Sequence, residues 1–427
     1  MKMTNLMRAE KRFLSYTITL LIVLFFVSAG FSTNGYFSHG YGTHYKGIAG
    51  AGTALSLSAF APAINPAGLT GLGKRVDVGV TYFNPSRDFS VTGNPSGFPN
   101  TFGLAPGTVE SGSNSFIIPS VAGHLSVPGG HHLGLSIYGN GGMNTDYQAP
   151  VFGNNPTGVD LSQLFVSGTY AREIIPGHSV GISGIFAWQR FKAEGLQAFG
   201  NFSSDANKLT NNDYSISTGF GARIGYLGKI LPMLSVGASY QTKMSMSEFE
   251  EYSGLFAEKG DFDIPASWNV GVAVQALKVL KISADVQQIL YGGIKSINNP
   301  LLPNLQQARL GEDAGAGFGW ENMTVYKIGA QATPLPTLTL RAGYSYGEQP
   351  IPPSEVLFNI LAPGVVEQHV TFGLSKTLIP LLDVHFALMY AFSNSVQGPN
   401  ALEAPGQQQI ELTMKQVEAE VGVSFSF

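Results

Sequence analysis

Apolar and polar residues alternate with a period of two along most of the chain after residue 74. In residues 76–82, valines and a tyrosine alternate with polar residues or glycine, and the pattern recurs in residues 234–246, 268–274 and 338–346. Successive side chains of a strand point to opposite faces. Each stretch therefore predicts a β-strand with one apolar face and one polar face.

The connections between these stretches alternate in length. Short turns alternate with long loops, which lie at about 84–113, 143–160, 193–213, 247–263, 293–321, 348–365 and 394–409. Short turns on one rim and long loops on the other, joining an even number of strands, are typical of an outer-membrane barrel. We predict strands that start near residues 75, 115, 132, 161, 179, 214, 234, 264, 280, 323, 337, 366, 382 and 411.

A soluble β-sandwich with one wet face shows the same alternation, but the aromatic residues favour a barrel. Outer-membrane barrels carry girdles of aromatic residues at the two membrane interfaces, close to the strand ends. Five aromatic residues lie near predicted strand ends in this chain, namely Tyr82, Tyr226, Tyr240, Trp268 and Tyr390. Lipid cannot satisfy the backbone groups of an open sheet edge, so the sheet must close. The predicted fold is an all-β, 14-stranded antiparallel up-and-down outer-membrane barrel in residues 74–427.

The composition and the N-terminus agree with export to the outer membrane. Charged residues form 12% of the chain and cysteine is absent, whereas soluble proteins carry roughly 25% charged residues. Residues 1–29 combine four basic residues, an apolar run and a small-residue cleavage site at Val27-Ser28-Ala29, which predicts a signal peptide. The net charge of −4 argues against a nucleic-acid partner.

Residues 30–73 lack the strand pattern and are rich in glycine, alanine and serine. A barrel of about fourteen strands has a lumen wide enough to hold a folded plug. We therefore predict that this segment is an N-terminal hatch packed inside the barrel.

The sequence gives little support for catalysis, and no Ser-His-acid set stands out in it. The histidines His39, His44, His131 and His132 have no carboxylate at metal-ligand spacing, and no G-x-S-x-G motif is present. We expect no enzyme, metal or cofactor.

Charged residues predicted to face the lumen either pair with one another or hold the carboxylate of a ligand. These residues are Asp77, Arg223, Lys243, Lys281, Asp285, Lys327, Arg341, Asp383, Glu418 and Glu420.

Glycines interrupt the third predicted strand at Gly139, Gly141 and Gly142, on either side of Asn140. Glycines inside a strand weaken its pairing and mark a bulge or bend. In a membrane barrel, a bent strand opens a gap in the wall. The alternative is a strand that gives way to a loop.

Two long loops carry large apolar residues, namely Leu196, Phe199, Phe202, Phe249, Tyr252, Leu255 and Phe256. The positions 249, 252 and 256 share one face of a helix. Such residues in exposed loops either pack on each other or meet an apolar ligand.

These features together resemble the FadL/TodX family of outer-membrane transporters for hydrophobic compounds. The resemblance rests on ordered motifs at 50–52, 65–69, 137–147, 263–266, 283–287 and 340–346. It implies passive transport of fatty acids or similar compounds by a monomer, with capture at the outer loops 193–213 and 247–263. It also implies a hatch motif at Asn65, Pro66 and Ala67, and lateral release at the kink of the third strand. Neutral aromatic hydrocarbons remain an alternative substrate, and a general porin remains an alternative function.

The C-terminal residues Val421, Val423, Phe425 and Phe427 alternate with glycine and serine. We expect these four side chains to face outer-membrane lipid and lipopolysaccharide, with Glu418 and Glu420 in the lumen. A terminal phenylalanine after such alternation resembles the signal that the barrel-assembly machinery recognises.

Overall fold

The computed structural model describes residues 34–427, so the predicted signal peptide lies outside the described residues. Fourteen antiparallel strands form a closed barrel, which confirms the predicted fold. They are β1 (Arg75–Thr92), β2 (Phe116–Val127), β3 (His131–Tyr147), β4 (Thr157–Ile175), β5 (His178–Glu194), β6 (Ser215–Leu231), β7 (Leu234–Gln241), β8 (Ser267–Leu277), β9 (Leu280–Ile289), β10 (Met323–Leu335), β11 (Leu338–Gly347), β12 (Gln368–Ile379), β13 (Leu382–Pro399) and β14 (Gln409–Ser426). Closure is made by β1 and β14, from Arg75 opposite Ser426 to Thr92 opposite Gln409.

Shorter elements occupy the long connections. Two short strands pair with the barrel, Gly107–Glu110 with β1 and Ser245–Met246 with β6. Short α-helical turns are Gly42–Lys46, Ala257–Gly260, Lys295–Asn298, Asn304–Gln307 and Val356–Asn359. The 3-10 turns are Ala61–Ala63, Pro66–Gly71, Gln197–Phe202, Ala206–Lys208, Glu250–Tyr252, Tyr291–Gly293 and Pro353–Glu355. Among residues 34–427, no helix is both long and apolar enough to cross a bilayer.

The two faces of the wall follow the alternation in the sequence. Val80 and Tyr82 on β1 and Val421 and Phe425 on β14 are exposed on the outside, while Glu420, which lies opposite Thr81, is buried inside. The strand starts agree with the prediction to within a few residues. The end of the seventh strand differs from the prediction, because β7 ends at Gln241, and within the remaining alternation to residue 246 only Ser245–Met246 is a strand, which pairs with β6. Met244 and Met246 are buried rather than directed at lipid.

Residues 34–72, called the N-terminal segment here, contact the inner face of the barrel and are largely buried. The helix Gly42–Lys46 packs against β12, β13, β14 and β1, and the turn Pro66–Gly71 packs against β3, β4, β5 and β6. The segment therefore reaches from one wall of the lumen to the opposite wall. Its contacts support the predicted hatch, whose exact bounds at residues 30 and 73 stay a prediction.

Glycines on the barrel strands let this segment approach closely. An added Cβ would overlap atoms of the N-terminal segment at Gly181, Gly225, Gly237, Gly329 and Gly343. The glycine content of the strands thus has a packing reason, because the backbone of the segment lies where side chains of the wall would otherwise stand.

Candidate functional site

Strand β3 separates from β2 in its second half. The pairing of β3 with β2 ends at Ile137 opposite Val121, whereas its pairing with β4 continues to Tyr147. A register shift between Gly139 and Gly141 leaves Asn140 as the extra residue of a bulge. The predicted bend is therefore present. Residues 116–120 of β2 and residues 138–147 of β3 are not paired with each other, and the space between them is called the slot here.

The bent part of β3 pairs with the N-terminal segment instead of β2. Phe37 forms a bridge with Gly141, the Gly142 N–H donates to the Tyr36 carbonyl at 3.1 Å, and the Ser38 N–H donates to the Asn140 carbonyl at 3.0 Å. A Cβ at position 141 would collide with the Tyr36 carbonyl oxygen. Glycine at this position is therefore required for the close approach of the two backbones.

A small cavity, called the slot cavity here, lies behind the slot. It is bounded by the N-terminal segment and by β1, β2, β3 and β14, through Ser38, Gly40, Tyr41, Gly42, Lys46, Thr81, Ile118, Ser120, Tyr138, Gly139 and Glu420. The Tyr41 hydroxyl donates to the Asn140 side chain at 2.8 Å. Residues 36–41 thus lie between the lumen and the slot.

The hatch motif predicted from the resemblance anchors the other end of the N-terminal segment. The Asn65 side chain accepts from the Ala67 N–H at 3.1 Å and donates to the carbonyls of Thr53 and Tyr226, each at 2.8 Å. It caps the turn that Pro66 begins and ties this turn to β6. Asn65, Pro66 and Ala67 therefore fix the position of the segment. They are distant in sequence from residues 116–120 and 138–147, which border the slot.

The large apolar residues of the two long loops form two aromatic clusters. Phe191 of β5 has ring-centroid distances of 5.5 Å to Phe249, 4.8 Å to Tyr252 and 4.7 Å to Phe256. A second cluster places Phe199 at 5.4 Å from Phe152, 5.0 Å from Phe358 and 6.1 Å from Phe102. Leu196 and Leu255 are also buried, whereas Phe202 is 44% exposed.

A small apolar cavity, called the loop cavity here, joins the two clusters. Phe191, Leu255, Phe256, Phe318 and Phe358 contribute to its lining. The helix predicted for positions 249–256 is wrong, because Glu250–Tyr252 is a single 3-10 turn and Phe256 has an extended backbone. The three aromatic rings converge because each packs on Phe191, a partner that local periodicity cannot identify.

A third cavity, called the arginine cavity here, lies on the lumen side of the bent strand. Its lining comes from β1, β3, β14 and two loops, through Arg87, Gly142, Met143, Asn144, Trp320, Ala362, Pro363, Gly364 and Met414. Arg87 is missing from the predicted lumen charges because the first strand was expected to end near residue 84. The observed strand continues to Thr92, and the unbroken alternation of Arg87, Phe89 and Val91 was the signal for it.

Most lumen charges bind the N-terminal segment rather than one another, so the prediction of mutual pairing is wrong. Lys46 forms ion pairs with Glu418 at 2.8 Å and Glu420 at 2.9 Å. Asp285 accepts from the Thr53 N–H and hydroxyl. The prediction did not consider that the segment fills the space between opposite walls.

Of the remaining lumen charges, Arg223, Lys327 and Asp77 also bind the N-terminal segment, the last by accepting from the Ala59 N–H. Arg223 donates to the Pro62 carbonyl and Lys327 to the His39 carbonyl, while Asp77 pairs with Arg75. Arg341, Lys281 and Asp383 line a polar cavity at the short-turn rim. The prediction that Lys243 faces the lumen is wrong. Lys243 lies beyond the end of β7, its side chain is half-exposed, and it pairs with Asp263 at 2.5 Å. Within residues 34–427, His, Asp and Glu side chains form no group that could hold a metal ion.

The loop that carries Phe249 and Phe256 also contains a carboxyl group with a raised pKa, that of Asp261. Burial and the neighbouring Asp263 raise the pKa of Asp261 from 3.8 to about 7. Between these two pH values the folded loop holds a proton that the unfolded loop releases. Its stability therefore falls as the pH rises through this window and levels off above about 7.

We expect residues 247–263 to exchange backbone hydrogen faster at pH 8 than at pH 5, after correction for intrinsic exchange rates. The Asp261→Asn variant should lose this difference, because an amide does not titrate. Hydrogen–deuterium exchange with mass spectrometry measures it, and residues 193–213 serve as the internal control. Equal protection of the loop at both pH values would contradict the expectation.

The closed barrel and its occupied lumen define the class of protein to which the chain belongs. It is a multi-pass β-barrel of the Gram-negative outer membrane. Residues 19–427 match the family model of outer membrane protein transport proteins (OMPP1/FadL/TodX), and the chain belongs to this family. No curated protein matches the chain by sequence.

Solved structures with the same fold share little sequence with this chain. The toluene transporter TodX of Pseudomonas putida is 18% identical, with 91% of this chain and 99% of that chain covered and a TM-score of 0.68. A FadL homologue of Pseudomonas aeruginosa is 14% identical, with coverages of 92% and 100% and a TM-score of 0.69. The toluene transporter TbuX of Ralstonia pickettii is 18% identical, with coverages of 91% and 99% and a TM-score of 0.63. At these identities the likeness establishes the fold alone.

Proposed function

We propose that this protein carries hydrophobic compounds, long-chain fatty acids or similar molecules, passively across the outer membrane and releases them sideways through the slot. The observation that carries the proposal is the exchange of partners by β3, which leaves β2 and pairs with residues 36–38. Here the wall is held partly by hydrogen bonds to the N-terminal segment, so it can open without breaking the pairing in the rest of the sheet. The residues Gly139, Asn140, Gly141 and Gly142 form the lateral gate in this proposal.

Capture begins at the two aromatic clusters of the outer loops. Leu255 and Phe256 line the loop cavity. Phe249 and Tyr252 pack on its lining residue Phe191, Phe199 packs on its lining residue Phe358, and the exposed Phe202 offers a first contact. Each buried CH₂ contributes roughly 0.8 kcal/mol, so a long chain is held by apolar contact alone. The N-terminal segment acts as a hatch whose residues 36–41 move to connect the interior with the slot.

Two alternatives differ in substrate or mechanism. The solved structures named as toluene transporters favour a neutral aromatic hydrocarbon as the substrate. A general porin is disfavoured because the N-terminal segment occupies the lumen, and steady ion conductance in planar bilayers would favour it. Contacts with lipopolysaccharide, recognition of Phe427 by the barrel-assembly machinery and a monomeric state belong to the proposal as well. The outward positions of Phe425 and Phe427 support the lipid contact.

The Gly139→Trp variant tests lateral release. A tryptophan at this position fills the slot cavity, and we expect protein-dependent uptake of radiolabelled oleic acid and toluene by Gram-negative cells to fall roughly tenfold, which corresponds to about 1.4 kcal/mol on the barrier. The Gly168→Trp variant is the matched control, since position 168 is exposed on the outside with open space around an added Cβ. Unchanged uptake by a folded Gly139→Trp protein would contradict the lateral route.

A further inference from the structure

A polar cavity at the short-turn rim, called the rim cavity here, lies between the N-terminal segment and the barrel wall. It has a volume of about 220 Å³. Side chains from the ends of five neighbouring strands, β9 to β13, line it together with His44, Ser56 and Leu57 of the N-terminal segment. The short turns of an outer-membrane barrel lie in the periplasm. The rim cavity therefore faces water-soluble molecules of the periplasm and not the hydrocarbon of the bilayer.

The wall of the rim cavity is a continuous row of polar side chains. Lys281 of β9 lies opposite Gln331 of β10, and Gln331 lies opposite Arg341 of β11. Arg341 donates to the Ser375 hydroxyl of β12 at 2.6 Å, and Ser375 lies opposite His385 of β13. Further hydroxyl groups complete the lining, at Ser56, Thr337, Thr339 and Thr377.

Positive charge predominates among the ionised groups of the rim cavity. Arg75, Lys281 and Arg341 line it together with one carboxylate, that of Asp383. Arg75 pairs with Asp77 at 2.7 Å. Within residues 34–427, neither Lys281 nor Arg341 forms an ion pair. The cavity thus holds two cations that no carboxylate of the described chain neutralises by direct contact.

Arg341 is fixed in position and still has an unused donor. The residue is 6% exposed, its Nε donates to the Gln331 side chain at 2.8 Å, and one terminal nitrogen donates to Ser375. In the described part of the chain, the other terminal nitrogen donates to no acceptor. A buried charge is costly unless it is paired and hydrogen-bonded. An anion in the rim cavity would supply both the opposite charge and the missing acceptor.

The lining indicates which anion fits. Guanidinium and ammonium groups bind oxyanions through charge-assisted hydrogen bonds, and hydroxyl and imidazole groups can add further donors. Such donors come from the wall and from the N-terminal segment, so they meet an anion from several sides. The tetrahedral oxygens of a phosphate group can accept from donors in these different directions. Leu57 and Pro336 are the apolar side chains of the lining, which offers little surface to a hydrocarbon chain.

We propose that the rim cavity binds phosphate, either as the free ion or as the phosphate group of a small water-soluble molecule. The anion lies between Arg341 and Lys281 of the wall and Ser56 of the N-terminal segment, so it links this segment to the wall on the periplasmic side. The rim cavity shares no lining residue with the slot cavity, the loop cavity or the arginine cavity. The site is therefore independent of the proposed transport route.

Isothermal titration calorimetry of the purified full-length protein in detergent tests the site, with inorganic phosphate as the probe at constant ionic strength. We expect one phosphate to bind per chain. Lys281→Met should weaken binding about tenfold, as the loss of one charge-assisted hydrogen bond implies. Arg341→Lys keeps the charge but loses the planar pair of donors, and it should weaken binding as well. Lys278→Met is the matched control, since Lys278 is exposed on the turn between β8 and β9 and does not line the cavity.

The same titration with glycerol 3-phosphate distinguishes the two forms of the ligand. Affinity equal to that of phosphate or higher supports a phosphate ester, and absence of binding supports the free ion. Failure of phosphate to bind the wild-type protein, or unchanged affinity in Lys281→Met, would overturn the site. An equal loss in Lys278→Met would also overturn it, because binding would then follow the overall charge of the rim. Displacement of phosphate by phosphatidylglycerol in nanodiscs would assign the site to a lipid headgroup and overturn a soluble ligand.

Discussion

Replacing Lys46 with methionine is expected to lower the free energy of unfolding by roughly 3–5 kcal/mol. Lys46 joins the N-terminal segment to the buried Glu418 and Glu420 of β14, and its removal leaves two carboxylates without their shared cation. Water cannot replace the lysine inside a packed lumen, so the desolvation cost of both carboxylates remains. Urea unfolding in detergent micelles, followed by tryptophan fluorescence, measures the change.

Two further variants separate the loss of charge pairing from a general packing defect. The triple variant Lys46→Met, Glu418→Gln, Glu420→Gln should recover most of the lost stability, because the amides carry no charge. Lys192→Met removes a partly exposed ion pair with Glu194 and should cost less than about 1 kcal/mol. A loss of that small size in Lys46→Met would show that the buried pair does not hold the segment.

The Gly141→Val variant is expected to release residues 36–38 from the bent part of β3. Its side chain would occupy the position of the Tyr36 carbonyl, so two backbone hydrogen bonds are lost, from Gly142 N–H to Tyr36 and from Ser38 N–H to Asn140. Two such bonds contribute about 1–3 kcal/mol together. Hydrogen exchange of peptides that cover residues 34–41 and 138–147 should accelerate by about tenfold or more.

The remainder of the N-terminal segment should keep its protection in this variant, because the bonds of Asn65, Thr53 and Lys46 are unaffected. Gly168→Val introduces the same side chain at an outward position without near neighbours, and it should leave exchange unchanged at both sites. Unaltered protection of residues 34–41 in Gly141→Val would contradict the pairing described for β3.

The architecture could be predicted from the sequence because a barrel wall imposes a local rule. Each strand alternates between lipid and lumen, and turn lengths alternate between rims, so the strand count follows without knowledge of distant contacts. The error at the end of β7 has a physical reason. Met244 pairs with Ile264 through a backbone bridge inside the loop region, and its apolar side chain is indistinguishable in sequence from one that faces lipid.

The candidate site was predictable only in part. The glycines of the kink and the apolar residues of the loops are local features of the sequence. The partners of these features are far away in sequence: Tyr36 at the kink, Phe191 in the loops and Arg87 in the cavity beside the slot. A single sequence indicates that a strand bends or that a loop is apolar. It does not indicate which distant residue meets it.

The unpaired half of β2 determines the polarity of the slot. Residues 116–120 pair with β1 on one side, and in the described part of the chain no strand pairs with them on the other. Pro119 in this stretch has no N–H group, so it leaves no donor unpaired at this strand edge. The other backbone groups along this edge need hydrogen-bonding partners that hydrocarbon cannot supply. The slot is therefore bordered by a strip of amides set in an apolar wall, and in the proposed lateral route a molecule with one polar end would cross it at lower cost than a pure hydrocarbon.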